Sequence, residues 1–191
     1  MSGGAKAICI IALILGIMGL AQAVLGGVGL IVGPQAQQWF NPPQPDQNLR
    51  ELQQEMQGEM NAIAARFLPF SIVRILFHLV VATLLVIGAI SMLKSQSPSL
   101  LVVGSALAIV FEIGRAILQT TIQMQIIPVM TRSFERMGEM SWNMPEQMPK
   151  MITYFMYGSL VIGAFFVLAK IIFYSISIVV LRKQTPAVDT P

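Results

Sequence analysis

The chain has 191 residues, of which 55% are apolar and 11% are charged, and its mean hydropathy is +0.71. Soluble domains carry about 25% charged residues, and disordered chains combine low hydrophobicity with high net charge, so this composition excludes both classes. The formal charge of +3 comes from basic residues that are scattered along the chain. They form no stripe of basic and aromatic residues of the kind that binds nucleic acid, so we predict no nucleic acid as a partner. The length predicts one integral membrane unit.

Four apolar stretches are long enough to cross a membrane, since about 30 Å of hydrocarbon requires about 20 apolar residues in a helix. They cover residues 7–33, 70–93, 100–127 and 152–181. We predict an all-α integral membrane protein, an antiparallel four-helix transmembrane bundle that forms a single domain with a short tail from residue 182. The first stretch has a signal-peptide character, but its apolar run extends well past the candidate cleavage site, which favours an uncleaved anchor.

The distribution of basic residues predicts the orientation of the spans. With the N-terminus inside, the short inner flanks carry Lys6, Lys94, Arg182 and Lys183, whereas the outer segments are longer and the first of them is acidic. Basic residues concentrate in short cytoplasmic flanks. We therefore expect both termini to be cytoplasmic.

The two outer segments have helical periodicity of their own. After Asp46, a favourable N-cap, apolar residues recur at steps of three and four, which predicts an amphipathic extracytoplasmic helix over about residues 47–67. Pro69 is expected to break this helix before the second span. The segment 131–150, after the third span, is predicted to contain a shorter amphipathic turn.

Five ionisable residues fall inside the predicted spans, although a charge at the bilayer centre costs about 2.5–3.5 kcal/mol on insertion scales. Helical spacing places the polar residues of the second, third and fourth spans on one stripe each. Pairing residues symmetrically about the turn 94–99 places His78 opposite Arg115 and Arg74 opposite Gln119. The predicted intramembrane polar cluster consists of Gln22, Arg74, His78, Glu112, Arg115 and Gln119, with Lys170 at its lower edge near the level of Glu112.

This cluster has three interpretations. In the first, Glu112 pairs with Arg115 or Lys170 and fixes the rotation of the helices, while Arg74 reaches the interface. In the second, the fixed cations outnumber the single carboxylate, so that an anionic lipid head, a carboxylate substrate or an acid of a partner chain binds. In the third, His78 and Glu112 form a proton relay.

Small residues recur at steps of three and four along the first span, which permits close approach of another helix. This packing seam consists of Gly16, Gly19, Ala23 and Gly27. It predicts a contact with the second or fourth span of the same chain, or with another subunit in an oligomer.

The chain is rich in methionine, with 13 in all. Thioethers suit Cu(I), but methionine at helical spacing more often forms an adaptable contact surface, and no extramembrane histidine or cysteine completes a copper site. We therefore predict no metal and no cofactor. The predicted outer partner surface consists of Met56, Met60, Met137, Met140, Met144 and Met148.

The sequence has no enzymatic signature. It contains one histidine and one cysteine, and it lacks the GxSxG and GxxxxGK[ST] motifs of hydrolases and nucleotide-binding proteins. The expected function is that of a non-enzymatic accessory, scaffolding or self-assembling subunit of a membrane complex, with the lipid bilayer and other membrane subunits or copies of itself as partners. The alternative is a small transporter, channel or anionic-lipid-binding protein that uses the polar cluster.

Overall fold

A computed structural model describes residues 3–39, 47–95, 97–139 and 148–183, and within these ranges the chain forms four helices and no strands. The four helices are α1 (Gly3–Trp39), α2 (Gln47–Ser95), α3 (Ser99–Glu139) and α4 (Met148–Arg182). Each is long and apolar enough to span a membrane, where only a helix or a closed barrel satisfies every backbone polar group. The predicted all-α, multi-pass membrane class is confirmed.

Two of the helices are much longer than a bilayer requires. Helix α2 has 49 residues and α3 has 41, which correspond to about 74 Å and 62 Å at a rise of 1.5 Å per residue, against about 30 Å of hydrocarbon. Residues 47–67 of α2 and 127–139 of α3 form the part that we call the α2/α3 extension, in which the two helices are in contact around Glu55 and Glu59. Ion pairs join Glu55 to Arg136 at 2.7 Å and Glu59 to Arg132 at 3.4 Å.

The break expected at Pro69 does not occur in the structure. Pro69 lies inside α2, and Pro128 likewise lies inside α3. A proline removes one backbone donor and crowds the carbonyl four residues earlier, but packing against a neighbouring helix supports a backbone that continues through it. Residues 47–67 are therefore the beginning of α2 rather than a separate helix.

Successive helices pack side by side in chain order, and α1 also has a slight contact with α4. The hydrophobic core lies at the end of the molecule where α1 begins, α2 turns into α3 and α4 ends; we call this the turn end, and the opposite end the extension end. Its most buried members come from all four helices and include Ala5, Cys9, Ala12, Leu85, Ala89, Met92, Leu101, Tyr174 and Leu181.

Gly88 sets the register between α2 and α3. A Cβ atom at this position would lie 2.7 Å from the backbone nitrogen of Leu101, so that only glycine permits this approach. Farther along the same pair of helices, the ring of His78 packs on that of Phe111. The predicted pairing of His78 with Arg115 is therefore wrong by four residues, or about one helical repeat. Symmetric counting about the loop 94–99 ignores the rotation of each helix, which Gly88 determines.

Helix α4 is the most exposed of the four. Phe155 is 80% exposed, Tyr154 73% and Val161 71%, and all three lie on a helix that packs mainly against α3. Such a concentration of exposed apolar side chains is typical of a surface that faces another apolar phase. This surface is consistent with contact to lipid.

Candidate functional site

Glu112 lies at the centre of the polar residues inside the helices. Its side chain is only 5% exposed, and its Oε1 accepts a hydrogen bond of 2.8 Å from Nζ of Lys170 on α4. Its Oε2 lies 2.8 Å from Nη2 of Arg115, one turn later on α3, although without the angles of a hydrogen bond. One carboxylate therefore serves two cations and links α3 to α4.

A central cavity of about 90 Å³ lies between all four helices. The polar side chains on its wall are Gln22, His78, Glu112, Lys170 and Tyr174. By volume and by lining it is suited to hold a few water molecules, each of which needs two to four polar partners. The ion pair of Glu112 and Lys170 thus borders a polar space rather than tightly packed apolar side chains.

The imidazole of His78 is positioned by neighbours on two helices. It stacks on the ring of Phe111, with centroids 4.5 Å apart and planes inclined by 22°. On its other side, a Cβ at Gly19 would lie 3.1 Å from its Nε2. The absence of a side chain at Gly19 therefore makes room for the imidazole.

A second compartment, which we call the α2/α3 groove, opens on the side of the molecule and has a volume of about 530 Å³. Arg74 on α2 and Arg115 on α3 line it, both partly buried. Its remaining lining is apolar and consists of Pro69, Phe70, Val73, Phe77, Val110, Phe111, Gly114 and Leu118. Among the residues that the structure describes, Arg74 has no ion pair, while Arg115 shares Glu112 with Lys170.

The third compartment, which we call the α3/α4 groove, has a volume of about 260 Å³. Its polar lining consists of Arg115, Gln119, Thr120, Gln123 and Ser159. Arg115 therefore borders both grooves, one on each side of α3.

The structure divides the predicted polar cluster among these three compartments. Gln22, His78, Glu112 and Lys170 surround the central cavity, Arg74 and Arg115 line the α2/α3 groove, and Gln119 lines the α3/α4 groove. Lys170 lies at the level of Glu112, where counting residues from the inner ends of the helices places it.

Sequence reasoning left Tyr174 and Gln123 out of the candidate site. Tyr174 lines the central cavity, and Gln123 lines the α3/α4 groove. Both lie on the polar stripes that helical spacing identifies, so the signal was present in the sequence. Phe111, which supports His78, carries no polar signal that could have identified it.

Most of the predicted packing seam of α1 lies against α2 of the same chain. A Cβ at Gly16 would lie 2.7 Å from Cγ2 of Val86, and Ala23 is 2% exposed. Gly27 differs, because a Cβ there would meet no atom of the described chain within 4 Å.

The methionines predicted as an outer partner surface are only partly described. Met56, Met60 and Met137 are half-buried in the α2/α3 extension. Met140, Met144 and the side chain of Met148 lie outside the described residues. Across the described ranges, no three His, Cys, Asp or Glu side chains gather as a metal site would require.

The chain matches no protein-family model, and no similar curated protein or solved structure was found. A functional assignment therefore depends on the chemistry of the three compartments.

Proposed function

We propose that this protein binds an anionic phospholipid from the surrounding bilayer in the α2/α3 groove. The observation that carries this proposal is the presence of two arginines, Arg74 and Arg115, in a laterally open groove with otherwise apolar walls. Guanidinium groups donate paired hydrogen bonds to phosphate oxygens. The acyl chains would then lie along apolar residues such as Phe70 and Phe77.

The charge balance inside the helices supports an anionic ligand. Arg74, Arg115 and Lys170 carry three positive charges, and Glu112 carries the one negative charge in the same apolar segments. Uncompensated charge in hydrocarbon is costly, so a bound phosphate would lower the energy of this arrangement. The groove volume of about 530 Å³ also lies within the usual range for ligand sites.

The proposed architecture is an antiparallel transmembrane bundle with both termini cytoplasmic and the amphipathic α2/α3 extension outside. Residue numbers increase along α1 while those of their neighbours on α2 decrease, since Gly16 lies beside Val86 and Gly26 lies beside Ile75. These contacts support the antiparallel arrangement. The density of basic residues in short flanks supports the orientation. The function is one of binding rather than catalysis, since the cluster offers a single carboxylate and a single imidazole.

The proposal is tested with the full-length protein in nanodiscs, by native mass spectrometry of bound phosphatidic acid against phosphatidylcholine. Hydrogen bonds to charged groups contribute about 1.5–3 kcal/mol, so Arg74→Gln should weaken retention of phosphatidic acid roughly tenfold or more. Arg74 is the better target because it has no ion pair within the described chain, so its loss leaves Glu112 paired.

The matched control is Arg66→Gln, an exposed arginine on the same helix outside the α2/α3 groove. It should retain phosphatidic acid like the unmodified protein. Equal retention by the Arg74 and Arg66 variants, or no preference for phosphatidic acid, would contradict the proposal.

A role as an accessory, scaffolding or self-assembling subunit is the second candidate. The α2/α3 extension favours it, because a paired helical segment beyond the hydrocarbon offers a surface to other proteins. Mass photometry in nanodiscs should then give masses above one copy, or partner membrane proteins should co-purify in mild detergent. A single copy without co-purifying protein would contradict this role.

A further inference from the structure

The α3/α4 groove contains two buried polar atoms of opposite kind that lack partners among the described residues. Oε1 of Gln123 accepts no hydrogen bond, and Nε of Arg115 donates none. A buried polar atom without a partner is rare and unfavourable. The groove is therefore suited to a ligand that brings both a donor and an acceptor.

The other polar groups of the groove are uncharged. Gln119 and Thr120 are exposed along α3, and Ser159 faces them from α4. The hydroxyl of Ser159 donates to the carbonyl of Met156 at 2.7 Å, so its lone pairs remain to accept. This set of amide and hydroxyl groups is suited to hydroxyls rather than to a second charged group.

Polar and apolar residues lie mainly on opposite walls of the groove. The α3 wall carries Arg115, Gln119 and Gln123, whereas the α4 wall is apolar apart from Ser159 and includes Leu160, Phe166 and Val167. A hydrogen bond of 3.0 Å between Thr131 and Thr153 joins the two helices beyond the polar part. A ligand with hydroxyl groups along α3 and an apolar chain along α4 matches this arrangement.

We infer that the α3/α4 groove binds the hydroxylated headgroup of a bilayer lipid, with glycerol as the simplest example. A hydroxyl both donates and accepts, so one hydroxyl of the headgroup satisfies Gln123 in either orientation of its amide, while another accepts from Nε of Arg115, about two turns away on α3. This site is distinct from the phospholipid site of the α2/α3 groove, since the two grooves lie on opposite sides of α3 and share only Arg115 in their lining.

The test uses the full chain in phosphatidylcholine nanodiscs, with monooleoylglycerol as the hydroxylated probe and methyl oleate as the probe without hydroxyls. Gln123→Leu and Thr120→Val should each weaken monooleoylglycerol binding roughly fivefold, the value of one net hydrogen bond. Methyl oleate should bind more weakly and should not respond to either variant.

Neighbouring residues of the same types provide matched controls. Gln125→Leu and Thr121→Val change the same helix outside the groove, and the hydroxyl of Thr121 donates to the carbonyl of Ile117. Both controls should bind monooleoylglycerol like the unmodified protein. Thermal unfolding of all four variants identifies any that fail to fold. If one groove variant does not fold, the other still tests the site.

The two proposed sites fail independently. Arg74→Gln should leave monooleoylglycerol binding unchanged, and Gln123→Leu should leave phosphatidic acid retention unchanged. Equal binding of both probes, or undiminished binding by both groove variants, overturns the hydroxyl site and indicates that water satisfies the two polar atoms. Displacement of the lipid by free glycerol at matched concentration overturns the bilayer as the source of the ligand.

Discussion

At the scale of single residues, Glu112 determines whether the cations inside the helices can be accommodated. Lys170 and Arg115 both lie within 2.8 Å of its oxygens, and all three side chains are at least partly removed from solvent. Removing one member of a buried ion pair is strongly unfavourable because the remaining charge is left uncompensated. Glu112 therefore links charge balance to the packing of α3 against α4.

We predict that Glu112→Gln lowers the free energy of unfolding by about 3–5 kcal/mol, because it preserves shape but strands two cations. Adding Lys170→Met or Arg115→Gln should recover part of the loss by removing a stranded charge. Denaturant unfolding in detergent measures both effects. Strictly additive losses in both double variants would show that Glu112 is not the shared partner.

The Glu112→Gln variant also tests whether a phosphate in the α2/α3 groove reaches Arg115. Since Glu112 competes with any bound anion for Arg115, phosphatidic acid should raise the melting temperature of Glu112→Gln more than that of the unmodified protein. An equal or smaller increase would indicate that the phosphate does not reach Arg115.

The contact between α1 and α2 depends on the lack of a side chain at Gly16. A Cβ at Gly16 would lie 3.1 Å from the carbonyl oxygen of Ala82, whereas a Cβ at Gly27 would meet no atom of the described residues within 4 Å. Gly16→Leu should therefore cost about 1–3 kcal/mol or more by overpacking, while Gly27→Leu should be near neutral. Thermal unfolding of the two variants checks this, and equal melting temperatures would place the Gly16 face against lipid.

At the scale of elements, the continuous α2 is the feature that carries the chain beyond the bilayer. It continues through Pro69 from the α2/α3 extension into the span that contains Arg74. Because the extension and the span belong to one helix, a movement of the extension would be transmitted directly to the wall of the α2/α3 groove.

We predict a single long helix in the membrane-embedded protein. Spin labels at Gly58 and Val80, both exposed, would lie about 33 Å apart at 1.5 Å per residue, after replacement of Cys9 by alanine. Double electron–electron resonance measures this distance. A main distance clearly shorter than this would mean that residues 47–67 fold back on the membrane surface.

At the scale of the whole molecule, four helices contact one another chiefly in chain order, and the central cavity lies where α1 and α4 approach. The slight contact between these two helices means that the cavity is closed by few side chains on that side. The α3 helix, by contrast, is the one described helix that lines all three compartments.

We predict that all four candidate spans cross the membrane, which would place both ends of the chain on one side, and the basic residues predict that this side is the cytoplasm. Protease-cleavable tags at the two ends should therefore both be protected in intact cells and both be cut after permeabilisation. Cleavage of either tag in intact cells would contradict the predicted orientation.

The amino-acid sequence alone determined the number of spans and the polar stripes. Both follow from local properties, namely the length of an apolar run and the helical period that places Glu112, Arg115 and Gln119 on one face. The same reasoning identified the small residues of α1, because close approach of helices requires them.

Only the tertiary structure decided how these faces meet. The register between α2 and α3 depends on the close approach of Gly88 to Leu101, a contact between distant positions that no local pattern specifies. That register places Arg74 and Arg115 in the same groove and separates them from the cavity beside His78. The helix likewise continues through Pro69 because a neighbouring helix supports it, whereas the local preference of proline favours a break.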